Sequence, residues 1–251
     1  MSASTPPYKV VNPNAMGTFL FTAEHASCAL PCAQSETEAQ VVQTHWGWDI
    51  GIAPLFERVC STLACRGVEG QVSRLWIDTN RGPDQEGLIK EVVEGVTLSF
   101  NREVSPEMKA ERIASVHEPY HQAISTAIQA HERAPLLVSL HSFTPIWNQR
   151  LRSMDIGVLF DRDERLAHAL AGLLEDEGFF VALNEPYSGK NDLIYSAHRH
   201  GTERTIPYVE LEFNQSILSS PRRVMSVASR LSHVLTRFSD TYCEGGRWAM
   251  G

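Results

Sequence analysis

Short apolar runs alternate with longer amphipathic segments along most of this chain, and that alternation limits its fold more than any other feature. Strands joined by helices long enough to cross over a sheet give a mostly parallel sheet covered on both faces. The runs Thr18–Ala23, Val72–Ile77, Leu136–Leu140, Ile156–Phe160, Phe179–Leu183 and Tyr208–Phe213 read as strands. Segments 36–64, 105–131, 165–177, 192–200 and 220–238 read as helices. The first should break around Trp46–Trp48, where Gly47 and Asp49 offer a fresh N-terminus. The second should kink or split at Pro119. Residues 84–104 are polar and glycine-spaced, an excursion over the functional face. The expected fold class is α/β: a single-domain, three-layer α/β/α architecture around a central mixed, mostly parallel sheet. That one domain spans residues 1–251, with its core at about 16–240.

Two of the strand-like runs end in a histidine, Phe19–Leu20–Phe21–Thr22–Ala23–Glu24–His25 and Leu136–Leu137–Val138–Ser139–Leu140–His141. Ligands of open α/β sheets bind beyond the carboxyl ends of the strands. Two imidazoles delivered there from distant parts of the chain can converge on one metal. A catalytic zinc centre takes about three His, Asp or Glu ligands and keeps one position open. A nearby carboxylate then serves as general base, and cations hold the rest of the substrate. Glu210 and Glu212 stand two apart on the Tyr208–Phe213 run, so they share one face. At a buried strand end such charges are tolerated only if something pairs with them.

The formal charge of −8 argues against a general nucleic-acid or anionic-membrane binder, yet allows a small anionic substrate held by local arginines. No run of about 18 apolar residues is present to span a membrane. Met1–Tyr8 lacks the apolar core of a signal peptide, so the expected location is cytoplasmic. Five cysteines, with no CxxC pair, suit scattered reduced thiols. Nothing in the sequence sets an oligomeric state.

Several phrases resemble known enzymes. Leu140–His141–Ser142–Phe143–Thr144–Pro145 is similar to the second zinc-histidine motif of metallocarboxypeptidases. Asp78–Thr79–Asn80–Arg81 resembles the segment whose Asn and Arg clamp the substrate carboxylate in those enzymes. The fuller resemblance is to the N-formylglutamate amidohydrolase family. Six phrases carry it: 21–27, 48–51, 73–81, 139–145, 157–163 and 184–189. Together with the flanking elements they fall within residues 18–218.

That resemblance implies a zinc-exopeptidase-like (phosphorylase/hydrolase-like) fold. It also implies metal-dependent hydrolysis of N-formyl-L-glutamate to formate and glutamate, a step of histidine degradation. One zinc ion is the implied cofactor, with cobalt or manganese as alternatives. His25 and His141 are the implied metal ligands, and Glu212 the general base, with Glu210 as its substitute or a substrate contact. Asn80 and Arg81 would hold the α-carboxylate, and Tyr187 would contact substrate. Arg74 falls near the place of an arginine that polarises the scissile carbonyl in aspartoacylase-like enzymes. A second substrate carboxylate needs another cation, for which Arg150, Arg152 and Lys190 are open.

The chain departs from metallocarboxypeptidases at one point. Their first ligand histidine is followed three residues later by a ligand glutamate, and here that place holds Cys28. Asp49 is the favoured third ligand, since it follows an insertion and can begin the helix after the first ligand. Glu24 is set aside because adjacent strand residues point to opposite faces; His45 and Cys28 stay open. Two other functions remain: release of a different acyl group or cleavage of a short peptide, and carboxylate binding without catalysis.

Overall fold

The computed structural model describes residues 6–244 and 247–248, so the leader expectation for the first residues falls largely outside it. Seven strands form the central sheet: β1 (Tyr8–Val11), β2 (Phe19–Ala23), β3 (Arg66–Gly70), β4 (Leu136–Phe143), β5 (Ile156–Leu159), β6 (Val181–Leu183) and β7 (Tyr208–Asn214). Their spatial order is β1-β3-β2-β4-β7-β5-β6. The pairs β3–β2, β2–β4, β4–β7 and β5–β6 are parallel. The edge pair β1–β3 and the pair β7–β5 are antiparallel, which makes the sheet mixed. The helices are α1 (Glu36–Val42), α2 (Ile52–Thr62), α3 (Pro106–Arg112), α4 (Glu118–Gln129), α5 (Glu164–Asp176), α6 (Tyr195–Arg204) and α7 (Pro221–Tyr242).

Alternation within the strands sorts the core into two layers. Phe19 and Phe21 of β2, Val138 and Leu140 of β4, and Val209, Leu211 and Phe213 of β7 pack with α2, α5 and α7. Leu20, Leu137 and Tyr208 face the other way and pack against Tyr120 and Ile124 of α4 and Ala197 of α6. On this second face the residues turn polar toward the strand ends. Leu137 is followed by Ser139 and His141, and Tyr208 by Glu210 and Glu212, all buried. The layer that seals the sheet at one end therefore opens into a polar floor at the other.

Most expected elements form, and the differences have local causes. Segment 36–64 is two helices, and α2 starts at Ile52 with Gly51 (φ 88°) as its cap, not at Asp49. A side chain at Gly51 would also approach Leu218 Cβ to 2.7 Å, so the positive φ and the tight packing both select glycine. Segment 105–131 is split: a π-helical turn over Ile113–His117 separates α3 from α4, which carries Pro119 in its first turn. Val72–Ile77 is not a strand. Ser73 Oγ donates to Gly47 O and accepts from Leu75 N, and Trp76 N donates to Ser73 O, winding the segment into turns across the sheet end. The strand lies just before it, in Arg66–Gly70, a stretch with two glycines and two charged residues that shows no apolar alternation. Its Arg66 is buried because Nη1 donates to Ala127 O at 3.0 Å. β1 also escapes the sequence pattern. The helix expected from 192 begins at Tyr195, after a 3₁₀ turn over Gly189–Asn191.

Candidate functional site

The carboxyl ends of β2, β4 and β7 and the turns over 72–81 meet at a cavity of about 340 Å³. Its lining includes His25, Asp49, His141, Arg74, Asp78, Asn80, Arg81, Tyr187, Glu210 and Glu212, residues carried there by six separated segments. Parallel pairing sets the spacing, because Glu212 lies in register with His141 and Glu210 with Ser139.

One ligand-type atom from each of His25, Asp49 and His141 lies within 4.8 Å of the others, and all three residues are buried. His141 Nδ1 is 2.8 Å from Asp49 Oδ2, and His25 Nδ1 is 3.6 Å from the same oxygen. Each ring is pinned through its far nitrogen. His25 Nε2 donates to Asp78 Oδ1 at 2.6 Å, and His141 Nε2 to Glu24 Oε2 at 3.0 Å. Carboxylates bonded behind imidazoles in this way orient metal-binding histidines and raise their basicity. His25 Nδ1 is buried with no hydrogen-bond partner, as is Glu212 Oε2. A buried polar atom without a partner is costly. Two imidazole nitrogens and a carboxylate suit a zinc-type ion, so this donor set fits a metal.

Electrostatics follow from the same contacts. Burial opposes protonation of His141, yet Glu210, Asp49 and Glu24 outweigh it and raise its pKa well above the usual value. Burial also works against the charges of Asp49 and Asp78, but His141, His25 and Arg74 hold Asp49 far below the carboxylate range. His25 and Arg74 do the same for Asp78. Glu210 and Glu212 go the other way, since burial and neighbouring negative charge push both up and the cations only partly offset this.

The other expected residues lie in the cavity wall with distinct attachments. Arg74 donates to Asp49 Oδ1 at 3.2 Å and stands 3.6 Å from Asp78 Oδ2. Asn80 has its amide engaged: Oδ1 accepts from Ser196 N, and Nδ2 donates to Leu193 O and Glu210 Oε2. Arg81 lines the cavity, and its carbonyl accepts from His117 Nε2 at 2.8 Å. Tyr187 lines the rim beneath Arg152, whose guanidinium lies 5.3 Å from the Tyr187 ring centroid.

Of the other third-ligand candidates, His45 lines the cavity outside the three-residue cluster. Cys28 packs beside Val42 and Leu75. Glu24 is outside the cluster too, but the alternation argument that set it aside fails locally. Glu24 shares the parity of Leu20 and Thr22, whose register partners Leu137 and Ser139 share the parity of His141. β2 ends at Ala23, and the turn that follows lets His25 leave the alternation and reach the same site.

Of the cations left open for a second carboxylate, Arg150 is exposed on a short hairpin and Lys190 lies over the Phe160 ring. Neither is among the residues lining the cavity. Lys90 is, with its amine 5.7 Å from the Trp46 ring centroid, as is Trp147. Sequence reasoning missed these residues. Lys90 lies within the polar excursion, where no periodicity marks one side chain above another. Trp46, which in the sequence marks only a helix break, also lines the cavity, and hydrophobic wall residues beside a polar floor are what a small-molecule site needs.

A three-layer α/β/α fold with a buried cluster of histidines and carboxylates at the carboxyl ends of its central strands defines the broad class of this protein. Within that class the family is specific: the N-formylglutamate amidohydrolase family model matches residues 17–219, and the chain belongs to that family. Among solved structures, the gene product Atu2144 from Agrobacterium tumefaciens is 24% identical, covers 97% of this chain and 99% of its own, and superposes with a TM-score of 0.88. An N-formylglutamate amidohydrolase from Ralstonia eutropha JMP134 is 18% identical, with 94% and 98% covered and a TM-score of 0.74. At these identities the likeness is one of fold. None of the curated proteins matches the sequence. Among the described residues no helix is long and apolar enough to cross a membrane.

Proposed function

We propose that this chain is a metal-dependent amidohydrolase of small N-acyl amino acids, with N-formyl-L-glutamate as its substrate and histidine degradation as its setting. The observation that carries this reading is the meeting of His25, Asp49 and His141 beneath a cavity that also holds Glu212 and Arg81. Membership of the family supports it, as does the name of the Ralstonia eutropha relative.

His25, Asp49 and His141 would hold the ion, zinc being the first candidate. When bound, such an ion supplies Lewis acidity, polarising an acyl oxygen and making water easier to deprotonate. Glu212 stands in register with His141, and its raised pKa suits a carboxylate that takes a proton near neutral pH and returns it. In this scheme its oxygen receives the proton of the attacking water and passes it to the leaving nitrogen. The amide C–N bond breaks, and formate and the free amine leave.

Arg81 binds the α-carboxylate, for which a planar guanidinium is the suited partner. Asn80 shapes the floor by tying the 193–196 segment to Glu210. Arg74, beside Asp49, offsets negative charge developing on the acyl oxygen. Lys90 at the wall is the cation for a side-chain carboxylate, with Tyr187 and Trp147 covering the rim. We propose a cytoplasmic location and a single domain for it.

The test is formate release from N-formyl-L-glutamate by protein of known metal content, compared with N-formyl-aspartate, N-acetyl-glutamate and N-formyl-methionine. Turnover confined to the first compound is expected. Equal turnover of every N-formyl compound would remove the glutamate assignment, and no turnover at full metal occupancy would remove the enzyme reading.

A further inference from the structure

Glu24 is a fully buried carboxylate that the scheme above leaves without a task. Its Oε2 accepts from Ser139 Oγ at 2.7 Å and from His141 Nε2 at 3.0 Å. Its other oxygen, Oε1, is buried with no hydrogen-bond partner. Neither Oε2 partner is a lysine or an arginine. A carboxylate this deep persists as an anion only if a charge or several hydrogen bonds compensate it. Here His141 is the ionisable partner and the Ser139 hydroxyl is the second donor.

The arrangement also divides the labour of one dipeptide. His25 reaches into the site, while Glu24, its neighbour, supports the other histidine across the β2–β4 pair. Ser139 lies opposite Thr22 in that pair and two residues before His141 on the same face, so the sheet register itself holds carboxylate, hydroxyl and imidazole together. Only one nitrogen of a neutral imidazole carries a proton. A carboxylate accepting at Nε2 keeps the proton there and leaves the Nδ1 lone pair turned toward Asp49.

We infer that Glu24 is a positioning residue that sets the tautomer and ring orientation of His141 for metal binding. The inference rests on the metal reading given above but not on the identity of the substrate. Removing support of this kind costs about 10–100-fold in metal affinity in comparable sites.

The experiment is metal binding to stripped protein, for the wild type, Glu24→Gln and Glu24→Asp. Zinc affinity is read by competition with a chromophoric chelator, the coordination sphere by the visible spectrum of the cobalt(II) form, and the His141 tautomer by ¹⁵N NMR. Unfolding of the metal-free proteins establishes that each variant is folded. Glu24→Gln is expected to lose affinity by about 10–100-fold, with a changed cobalt spectrum and a mixed His141 tautomer. Glu24→Asp, which keeps the charge at a shorter reach, should recover part of both. A folded Glu24→Gln protein with wild-type affinity and an unchanged spectrum overturns the inference. A loss beyond 1,000-fold, on the order of what removing a ligand produces, would instead make Glu24 a ligand and overturn it too. Full metal loading without formate release would undo the substrate assignment and leave this result readable. A wild type that takes up no metal overturns both.

Discussion

His141 and His121 are both buried imidazoles, 2% and 1% exposed, yet their surroundings drive them in opposite directions. His141 faces Glu24, Asp49 and Glu210, and these carboxylates favour its protonated form. His121 lies between α4 and α6, with Nδ1 2.9 Å from His200 Nε2 and its ring 4.5 Å from that of His117. Among the described residues no carboxylate is hydrogen-bonded or ion-paired to it. Burial, and then the neighbouring imidazoles and Arg199, push its pKa well below the usual value. His200 is likewise pushed down to about 4, by burial first and then Arg199. Burial alone always favours the neutral ring, so the partners decide the outcome. One cluster is built to bring charge together, and the other to pack neutral rings.

The sharpest way to break that contrast is to delete one histidine from each cluster. His141→Gln should abolish metal uptake and formate release, a loss larger than the 10–100-fold typical of a residue that only supports a ligand. His121→Gln should retain metal and turnover. Equilibrium dialysis and a formate assay check both, and equal metal loss in the two variants would erase the distinction.

Glu212→Gln comes next. It should keep metal and lower kcat by about 10²–10⁴-fold, the usual worth of a general base. If activity persists, Glu210→Gln becomes the variant to measure.

The neutral cluster is tested by pH. His200 has a folded-state pKa of about 4, below its ordinary 6.5. The unfolded chain therefore binds the proton more readily, so the contribution of neutral His200 is complete above pH 6.5 and is lost as pH falls toward 4. Removing that linkage with His200→Asn should flatten the fall in unfolding free energy between those pH values by on the order of 3 kcal/mol. Denaturant titrations of both proteins across the range measure it. Parallel curves would mean that His200 titrates normally.

The smallest effect concerns Arg81, which touches both regions through its cavity-lining side chain and its carbonyl bond to His117. Arg81→Ala should reduce kcat/KM by about 10–100-fold, mostly through KM, as one charge-assisted hydrogen bond is worth about 1.5–3 kcal/mol. A fall in kcat at constant KM would assign it to chemistry rather than binding.

Much of this was legible in the residues themselves. The apolar runs around Phe21, Val138 and Leu211 needed a two-faced sheet, and the histidines closing two of them marked its functional end. Asp49 is a ligand candidate on the sequence alone, although the helix it was expected to start begins at Ile52. The failures share a cause. Arg66–Gly70 is a strand because its neighbours pair with it, whereas Val72–Ile77, more strand-like in pattern, is wound into turns by Ser73. Glu24 was set aside by a period-two rule that stops applying where β2 ends, one residue before it.

By itself the sequence determined the elements, their alternation, the polar ends of β4 and β7 and the family of the protein, because these depend on local periodicity and on short fixed phrases. Only the tertiary structure decided which carboxylate stands behind which histidine, that Asn80 is already engaged, and that Lys90 and Trp147 reach the cavity. Those facts depend on strand register and on turns that bring residues more than fifty positions apart within hydrogen-bond distance. No window of sequence contains both partners of such a contact.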